Sequence, residues 1–522
     1  MSGLPKGWTK VALGELLTNI ETGKSFKCDE RPPAVDEVGV VKVSAVTWGQ
    51  YQELESKTCL DPERVNPALF IRDGDFLFSR ANTLDLVGAC VLVARTSRRV
   101  MLSDKILRFQ FASEVHKTWV LRLLRSKIGR DQIEALASGN QESMRNIGQE
   151  RIRQIEVPLP PDSERSRIDE KLDELLSDLE AGEAELKAAQ KKLTQYRQSL
   201  LKAAVEGALT AAWREQQRAQ LPPAESGDQL LQRILTERRA RWEAKQLAKF
   251  KAQGKAPPKD WQKKYPEPVQ PDTTDLPALP QGWVWASLDM LGEIASGVAK
   301  GTKRDDKTPV REVPYLRVAN VQRGYLDLSE VKTILATERD IEDLALQNGD
   351  VLFNEGGDRD KLGRGWVWRN EVPECIHQNH VFRMRPFLPG MNPEFISHHG
   401  NTFGKLWFQN AGKQTTNLAS INMTMLRAFP VPVAPPEEQV EIVEQIKQQL
   451  EALGRQEQAT ELGLKQSTAQ RQNILRAAFS GQLVPQDPSD EPAADLLERI
   501  RAERAAQAPA RKPRGRGAQE AA

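Results

Sequence analysis

Histidine, cysteine and net charge are all scarce in this 522-residue sequence, and each scarcity removes a class of function. The four cysteines, Cys28, Cys59, Cys90 and Cys375, form no Cys-x-x-Cys pair and match no zinc-ligand spacing. They read as reduced, mostly buried thiols rather than a disulfide framework. Of the five histidines, His377 and His380 stand close together beside Gln378 and Asn379, too little for a metal site. Lys and Arg number 74 against 72 Asp and Glu, a net of +2. Bulk charge therefore selects no partner, and any nucleic-acid surface has to be a local patch. No apolar run approaches about 18 residues, so no membrane-spanning helix is expected. Met1-Ser2-Gly3-Leu4-Pro5-Lys6 lacks the apolar core of a secretory signal, and the expected location is cytoplasmic.

Catalytic motifs are missing as well. Gly400-Asn401-Thr402-Phe403-Gly404-Lys405 has the wrong spacing for a phosphate-binding loop and no hydroxyl residue after the lysine. No glycine-rich strand-to-helix turn suits an adenosyl cofactor. Asn392-Pro393-Glu394-Phe395 has the outline of an adenine-methylase element with the wrong third residue, and reads as a turn. Asp162, Asp169, Glu170 and Lys171 imitate a nuclease metal motif, but they lie on the opening of a helix, where such residues are ordinary surface. The chain reads as non-catalytic by itself.

What the sequence does contain is a repeat. Leu4-Pro5-Lys6-Gly7-Trp8 returns as Leu279-Pro280-Gln281-Gly282-Trp283, at an offset of 275. Asp73-Gly74-Asp75-Phe76-Leu77-Phe78 returns as Asn348-Gly349-Asp350-Val351-Leu352-Phe353, and Val157-Pro158-Leu159-Pro160-Pro161 as Pro432-Val433-Ala434-Pro435-Pro436. Leu201-Lys202-Ala203-Ala204-Val205-Glu206-Gly207 returns as Leu475-Arg476-Ala477-Ala478-Phe479-Ser480-Gly481 at an offset of 274. A nearly constant offset means one unit of globule plus helix used twice, and predicts a pseudo-two-fold protein.

The expected plan is a mixed α/β globule over 1–161 and a helix over 162–215. A short amphipathic helix and a Pro-rich linker occupy 216–278. A second globule covers 279–436, a second helix 437–485, and an amphipathic helix with an unstructured basic tail 486–522. Strands are expected at 38–46, 75–78, 89–93 and 106–111, and again at 315–321, 350–353 and 381–384; helical spacing covers 118–128. Prolines followed by acidic residues open each long helix. In the first, leucine recurs every seven residues at Leu172, Leu179, Leu186, Leu193 and Leu200. Leu175, Gly182, Ala189, Tyr196 and Ala203 lie between, which is the alternation of a coiled-coil seam. The small residues among them predict close approach by a partner with bulkier side chains. The second helix offers Val443, Ile446, Leu450, Leu453, Leu464, Ile474 and Ala478, and weakens at Glu457, Thr460, Ser467 and Arg471. A two-fold axis would make the pair antiparallel, each helix spanning about 70 Å; a parallel zipper between two chains is the alternative. Leu230-Leu231-Gln232-Arg233-Ile234 and Leu496-Leu497-Glu498-Arg499-Ile500 are expected as short amphipathic helices, either docking partners or packing inward.

Taken in order and twice over, these motifs resemble a specificity subunit of a type I restriction–modification system, along nearly the whole chain. The resemblance implies two pseudo-two-fold related target-recognition globules joined by two long antiparallel coiled-coil helices, the spacers. It implies double-stranded DNA, two modification (methyltransferase) subunits and two restriction (motor-nuclease) subunits as partners. S-adenosylmethionine, ATP and Mg would then sit on those partners, with no cofactor or metal on this chain. Each globule would read one half of an asymmetric bipartite site while the helices set the gap and dock the methyltransferase subunits. A non-catalytic scaffold carrying two protein-binding globules remains the alternative; it would show no salt-dependent duplex binding. A nuclease or methyltransferase acting alone is disfavoured by the missing motifs.

Base reading needs polar loops rich in Arg, Lys, Asn or Gln. Four loop pairs qualify. Lys24, Ser25 and Lys27 stand against Lys300, Lys303 and Arg304. Ser79, Arg80 and Asn82 stand against Asn354, Glu355, Arg359, Lys361 and Arg364. Asp104 and Lys105 stand against Gln378 and Asn379, and Asn140, Gln141, Ser143 and Arg145 against Lys413, Gln414, Thr415 and Asn417. Arg80 and Arg145 suit a fork to guanine. Gln141, Gln414 and Asn354 suit adenine, Glu355 can accept from cytosine, and the lysines suit phosphates.

Overall fold

A computed structural model describes residues 3–139, 144–220, 225–299, 309–411, 413–414 and 419–507. The chain forms two compact units. One combines residues 1–187 with 461–522; the other is 188–460. Both boundaries fall inside the two long helices, Asp162–Val205 and Pro436–Phe479, each of 44 residues. The basic tail from Ala508 onward lies outside the described residues.

In the first unit a four-stranded antiparallel sheet runs in the order Leu17–Thr22, Ile106–Phe111, Phe76–Ser79, Cys90–Leu92. Phe76, Phe78 and Phe109 stack on one face, with centroids 5.2 and 5.0 Å apart. Leu77, Val91 and Ile106 enter a separate cluster on the other face. Burial on both faces is why these strands read as unbroken apolar runs. A mixed sheet of Ser56–Thr58, Val38–Val41 and Arg99–Met101 contributes to that second cluster. The helical spacing at 118–128 resolves into two helices, His116–Arg125 and Lys127–Leu136, because the Ser126 hydroxyl accepts from Gly129 N and starts a new helix.

The second unit repeats these parts with shorter sheets. Gly292–Ser296, Val381–Pro386 and Val351–Asn354 form one, and Lys332–Ala336, Arg311–Leu316 and Ile376–His377 another. In each unit a two-stranded ladder joins the strand after Leu-Pro-x-Gly-Trp to the strand before the long helix, Thr9–Ala12 with Glu156–Leu159 and Val284–Ser287 with Pro430–Val433.

The repeated motifs now have physical reasons. Gly7 and Gly282 sit at φ +89° and +90°, closing turns in which Trp8 N donates to Pro5 O and Trp283 N to Pro280 O. The two indoles are buried, and each donates to a buried glutamate on the first turn of a long helix, Trp8 to Glu164 at 3.0 Å and Trp283 to Glu438 at 2.9 Å. Asp75 and Asp350 hold arginines on the central strand: Arg108 at 3.0 Å in the first unit, Arg385 at 2.7 Å in the second. At an offset of 275 the counterpart of Arg108 is Arg383, so the arginine used has moved two residues along its strand. Gly481, beyond the second helix, lies against Pro5 and Trp8 in the first unit, and Gly207, beyond the first helix, against Pro280 and Trp283 in the second. Each globule therefore holds the start of its own long helix and the end of the other.

Within each unit the two helices run antiparallel. In the first, Leu186 packs over Gly463, Glu183 accepts from Ser467 at 2.8 Å, and Glu180 pairs with Arg471 at 3.2 Å. In the second, Tyr196 donates to Gln449 at 3.0 Å and Arg197 pairs with Glu457 at 2.8 Å. The weak middle of the second helix is thus a polar stretch that finds polar partners, with Thr460 and Ser467 buried in the seam. Leu172, Leu200, Ile446 and Leu453 are buried; Leu175, Leu179, Leu186, Leu193, Leu450, Leu464 and Ile474 are half-buried. Bulky partners do not fill the small positions: nothing lies within 4 Å of a Cβ on Gly182. Ala189 instead faces Ala452 and Ala459 across an open groove of about 870 Å³ that also exposes Leu193, Tyr196 and Gln449.

The two Leu-Leu segments pack inward. Leu230, Leu231 and Ile234 belong to the second core, so that apolar face is covered, and Leu497 of the other segment belongs to the first core. The first of them is also long, a 26-residue helix over Gly227–Ala252. Cys90 and Cys375 are buried, and their thiols are pushed up to about 12 by burial; Cys28 and Cys59 are only half-buried.

Candidate nucleic-acid interface

Strand register decides which loops meet. In the first unit Thr22 pairs with Leu107 and Ser79 with Ile106, so the loops following Thr22 and Ser79 and preceding Ile106 leave the same end of the sheet. Gly23 N donates to Ser103 O at 3.1 Å, and Ser25 Oγ donates to the Asp104 carboxylate. Arg80 N donates to Lys105 O at 2.9 Å, and Ile147 N to Arg80 O at 2.9 Å. Ala81–Asn82 pairs with Arg145–Asn146, placing Asn82 opposite Arg145. All four predicted loops therefore converge. Lys24, Ser25, Lys27 and Lys105 are exposed, while Arg80, Asn82 and Arg145 are half-buried. Arg80 Nε donates to Asn146 Oδ1 at 3.3 Å, which steadies the guanidinium. Ser79 is a correction: its side chain is fully buried at the end of its strand and is not exposed on the loop surface. Asn140, Gln141 and Ser143 lie outside the described residues.

The second unit builds the same end from Ser296, Asn354 and Val381, whose register brings those strand ends together. Glu355 N donates to His380 O at 2.9 Å, and Ile421 N to Glu355 O at 2.8 Å. These are the two backbone bonds that hold Arg80, at offsets of 275 and 274. One backbone position is pinned identically in both units and carries Arg80 in one and Glu355 in the other. Its neighbour is Lys105 in one and His380 in the other. His380 Nδ1 lies 2.5 Å from Glu355 Oε2. On the other side of the ring, the amide nitrogen of Asn379 lies 3.4 Å from His380 Nε2. An all-donor pair has become a carboxylate beside an imidazole.

The other candidates separate into exposed and structural ones. Arg359 is exposed; Lys361 is half-buried and ion-paired with Asp358; Gln378 and Asn379 are half-buried beside the Glu355 loop. Asn354 is a correction: it is fully buried, its amide donates to Val318 O and Val321 O, and its Oδ1 is buried with it, away from the surface a base would occupy. Arg364 also turns inward, donating to Val318 O, and burial pulls its pKa below the usual guanidinium range. Lys413–Gln414 pairs with Ala419–Ser420, which pairs with Gly356–Gly357, so the fourth loop abuts the second. Lys300, Lys303, Arg304, Thr415 and Asn417 lie outside the described residues.

Two residues are missing from the loop residues picked out of the sequence. His380 was detectable by its offset of 275 from Lys105. Arg323 carried no signal; it donates to Asn401 O at 2.8 Å and Asp360 O at 2.7 Å, tethering the turn Arg359–Lys361. Other apparent motifs turn out to be structural. Asn392 Oδ1 accepts from Glu394 N and Phe395 N as a helix cap, and Asp169 pairs with Arg122. His377 is buried with Nδ1 on Val381 O. Among the described residues no group of His, Cys, Asp and Glu is placed to hold a metal, and no helix is long and apolar enough to cross a membrane.

No model of a known protein family matches the chain. The type I restriction enzyme EcoEI specificity subunit of Escherichia coli is 32% identical over 204 residues, 39% of this chain and 34% of that protein. The chain thus spans about a third of the EcoEI protein's length in that match. The EcoBI specificity subunit of Escherichia coli is 22% identical over 513 residues, covering 96% of this chain and 93% of that one. A chain solved in work on complex assembly and conformational transition of the type I restriction–modification system has the same fold, with a TM-score of 0.57 at 18% identity over 92% of this chain and all of that one. The fold is the mixed α/β fold with long helices seen in that system. The chain is similar, in sequence and in fold, to type I restriction enzyme specificity subunits.

Proposed function

We propose that this chain is the DNA sequence-specificity subunit of a type I restriction–modification complex, non-catalytic by itself. The observation that carries the reading is the pinned position shared by the two units. Both use the same backbone bonds to present a side chain at the same sheet end, and they present opposite chemistry there. A scaffold has no need for invariant placement with inverted charge; two readers of different sequences do.

In this reading each globule contacts one half of an asymmetric bipartite site in double-stranded DNA. Arg80 and Lys105 offer donors, which complement the acceptor edge of guanine. Glu355, held by His380, offers acceptor oxygens, which complement the exocyclic amine of cytosine or adenine. The long antiparallel helices set the unread gap between half-sites and dock two methyltransferase subunits. S-adenosylmethionine, ATP and Mg belong to those subunits and to the restriction subunits. With the face of Leu230, Leu231 and Ile234 covered, the open groove around Ala189, Leu193 and Ala452 is the docking surface the long helices offer.

The test is methylation mapping in cells that express the chain with its modification subunit. The expected result is one bipartite, asymmetric motif with a fixed gap. A single continuous motif, or none, would reject the reading.

A further inference from the structure

A concentration of positive charge lies away from the recognition loops. Between Glu237 and Lys264 the sequence places ten Lys and Arg against three Asp and Glu, in a chain whose net charge is +2. The helix Gly227–Ala252 is seated by Leu230, Leu231 and Ile234 in its first turns and then leaves the core. The chain returns along it through the turn Trp261–Lys264. Trp261 stacks on Trp242 at 5.7 Å and meets Phe250 edge-on at 6.0 Å, and Tyr265 meets Trp242 at 5.5 Å. Arg238 and Arg239 lie over the Tyr265 ring, and Arg238 donates to Pro266 O at 2.8 Å. The result is a clasped, two-legged arm.

The arginines of the arm are consumed locally, by Asp289, Glu243 and Glu237, and Lys245 pairs with Glu293. Lys249 and Lys251 on the outgoing leg and Lys255, Lys259 and Lys264 on the return leg are exposed. None of the five has an ion-pair partner among the described residues.

We propose that this arm binds the sugar-phosphate backbone of duplex DNA beyond the bases read by the loops, an inference that rests on the DNA-reading function above. Protein partners are gripped by aromatic and aliphatic anchors, and their interface cores are depleted of lysine. Here the aromatic residues are used up in the arm's own clasp, and Leu247 is its one large apolar side chain that stands exposed. Lysine is a point charge without a fork, suited to phosphate and unsuited to reading a base edge. The arm is tied to Glu293 and to Phe387 O, at the strand ends opposite Ser296 and Val381, where the loops emerge. The phosphates it meets are therefore not those of the bases being read.

The experiment uses the full chain co-purified with its modification subunits and a pool of long duplexes with a randomised segment, titrated at several salt concentrations. The variants are K249E/K251E/K255E/K259E and the neutral set with glutamine at the same positions. Removing one lysine–phosphate pair should lower the slope of log affinity against log salt by about 0.9, so the charge reversal should lower it by roughly three to four with the selected sequence unchanged. The glutamine set should weaken binding less than the charge reversal and leave the same sequence selected. An unchanged slope overturns the proposal. So does failure to co-purify, which would make the arm a protein-docking surface, and so does a changed sequence preference, which would make it part of the reading apparatus. If the unmodified complex selects no sequence at all, the specificity reading fails instead, and the slope difference still reports on the arm.

Discussion

Arg80 and Glu355 occupy one backbone site in two copies of a fold, and this is where specificity is most open to test. Arg80→Ala should weaken binding to one half-site alone, by about 1–3 kcal/mol if the contact is bidentate, and relax base preference there. Equal weakening on target and random duplex, measured by competition binding, would assign Arg80 to phosphate. The double change E355R/H380K should convert the matching place in the other half-site from an amine-bearing base to guanine, read from the selected sequence; an unaltered selection rules out base contact by the pair. The buried histidines set a pH dependence. His377, His398 and His399 are lowered from 6.5 to about 4, by burial first. In the unfolded chain they take up protons near 6.5, whereas the folded chain resists until about 4. The stability they support is complete above 6.5 and is lost as pH falls toward 4, by up to about 3 kcal/mol per histidine. Urea unfolding at pH 7 and pH 5 checks this; equal midpoints would contradict it.

At the scale of elements, the repeated motifs are joints. Gly481 sits at φ +68°, and a Cβ there would meet Pro5 Cγ at 2.4 Å. Gly481→Ala should destabilise by about 1–3 kcal/mol, from left-handed strain and the clash together. Gly182, inside the first long helix with nothing within 4 Å, should behave oppositely. Gly182→Ala should gain about 0.5–1 kcal/mol, since glycine carries only an entropic cost there. Chemical denaturation of both variants decides it, and a loss at Gly182 would mean that the small seam positions are packed after all. The seam also explains a misleading sequence signal. Thr460, Ser467 and Arg471 looked like a fading stripe, yet Ser467 and Arg471 meet Glu183 and Glu180. Polar contacts of this kind specify register at some cost in stability.

For the whole molecule, the proposed gap-setting role makes a quantitative demand. Adding one heptad to both long helices extends each by about 10 Å, close to three base pairs of rise, and the mapped gap should lengthen accordingly. A constant gap would separate helix length from site spacing. The same lengthening should leave the bases in each half-site unchanged, because each globule carries its own core, its own loops and its own anchoring tryptophan.

The sequence by itself determined the doubling. Turn glycines, Asp of the Gly-Asp motif, double prolines and heptad leucines act locally or at fixed period, so their physical requirements are visible in order along the chain. It also located most of the loops, because polar residues between short apolar runs have nowhere else to go. Only the tertiary structure decided which side chains in those loops are available. Ser79, Asn354 and Arg364 read like base contacts and turn inward, while His380 comes beside Glu355 through strand register. Side-chain direction at a strand end alternates between faces and depends on partners far away in sequence, and that long-range pairing is what a one-dimensional reading lacks. The lysine arm belongs to the same category. Its charge was legible as composition, but the aromatic clasp that holds it clear of the core is a contact between residues on two separate legs of the chain.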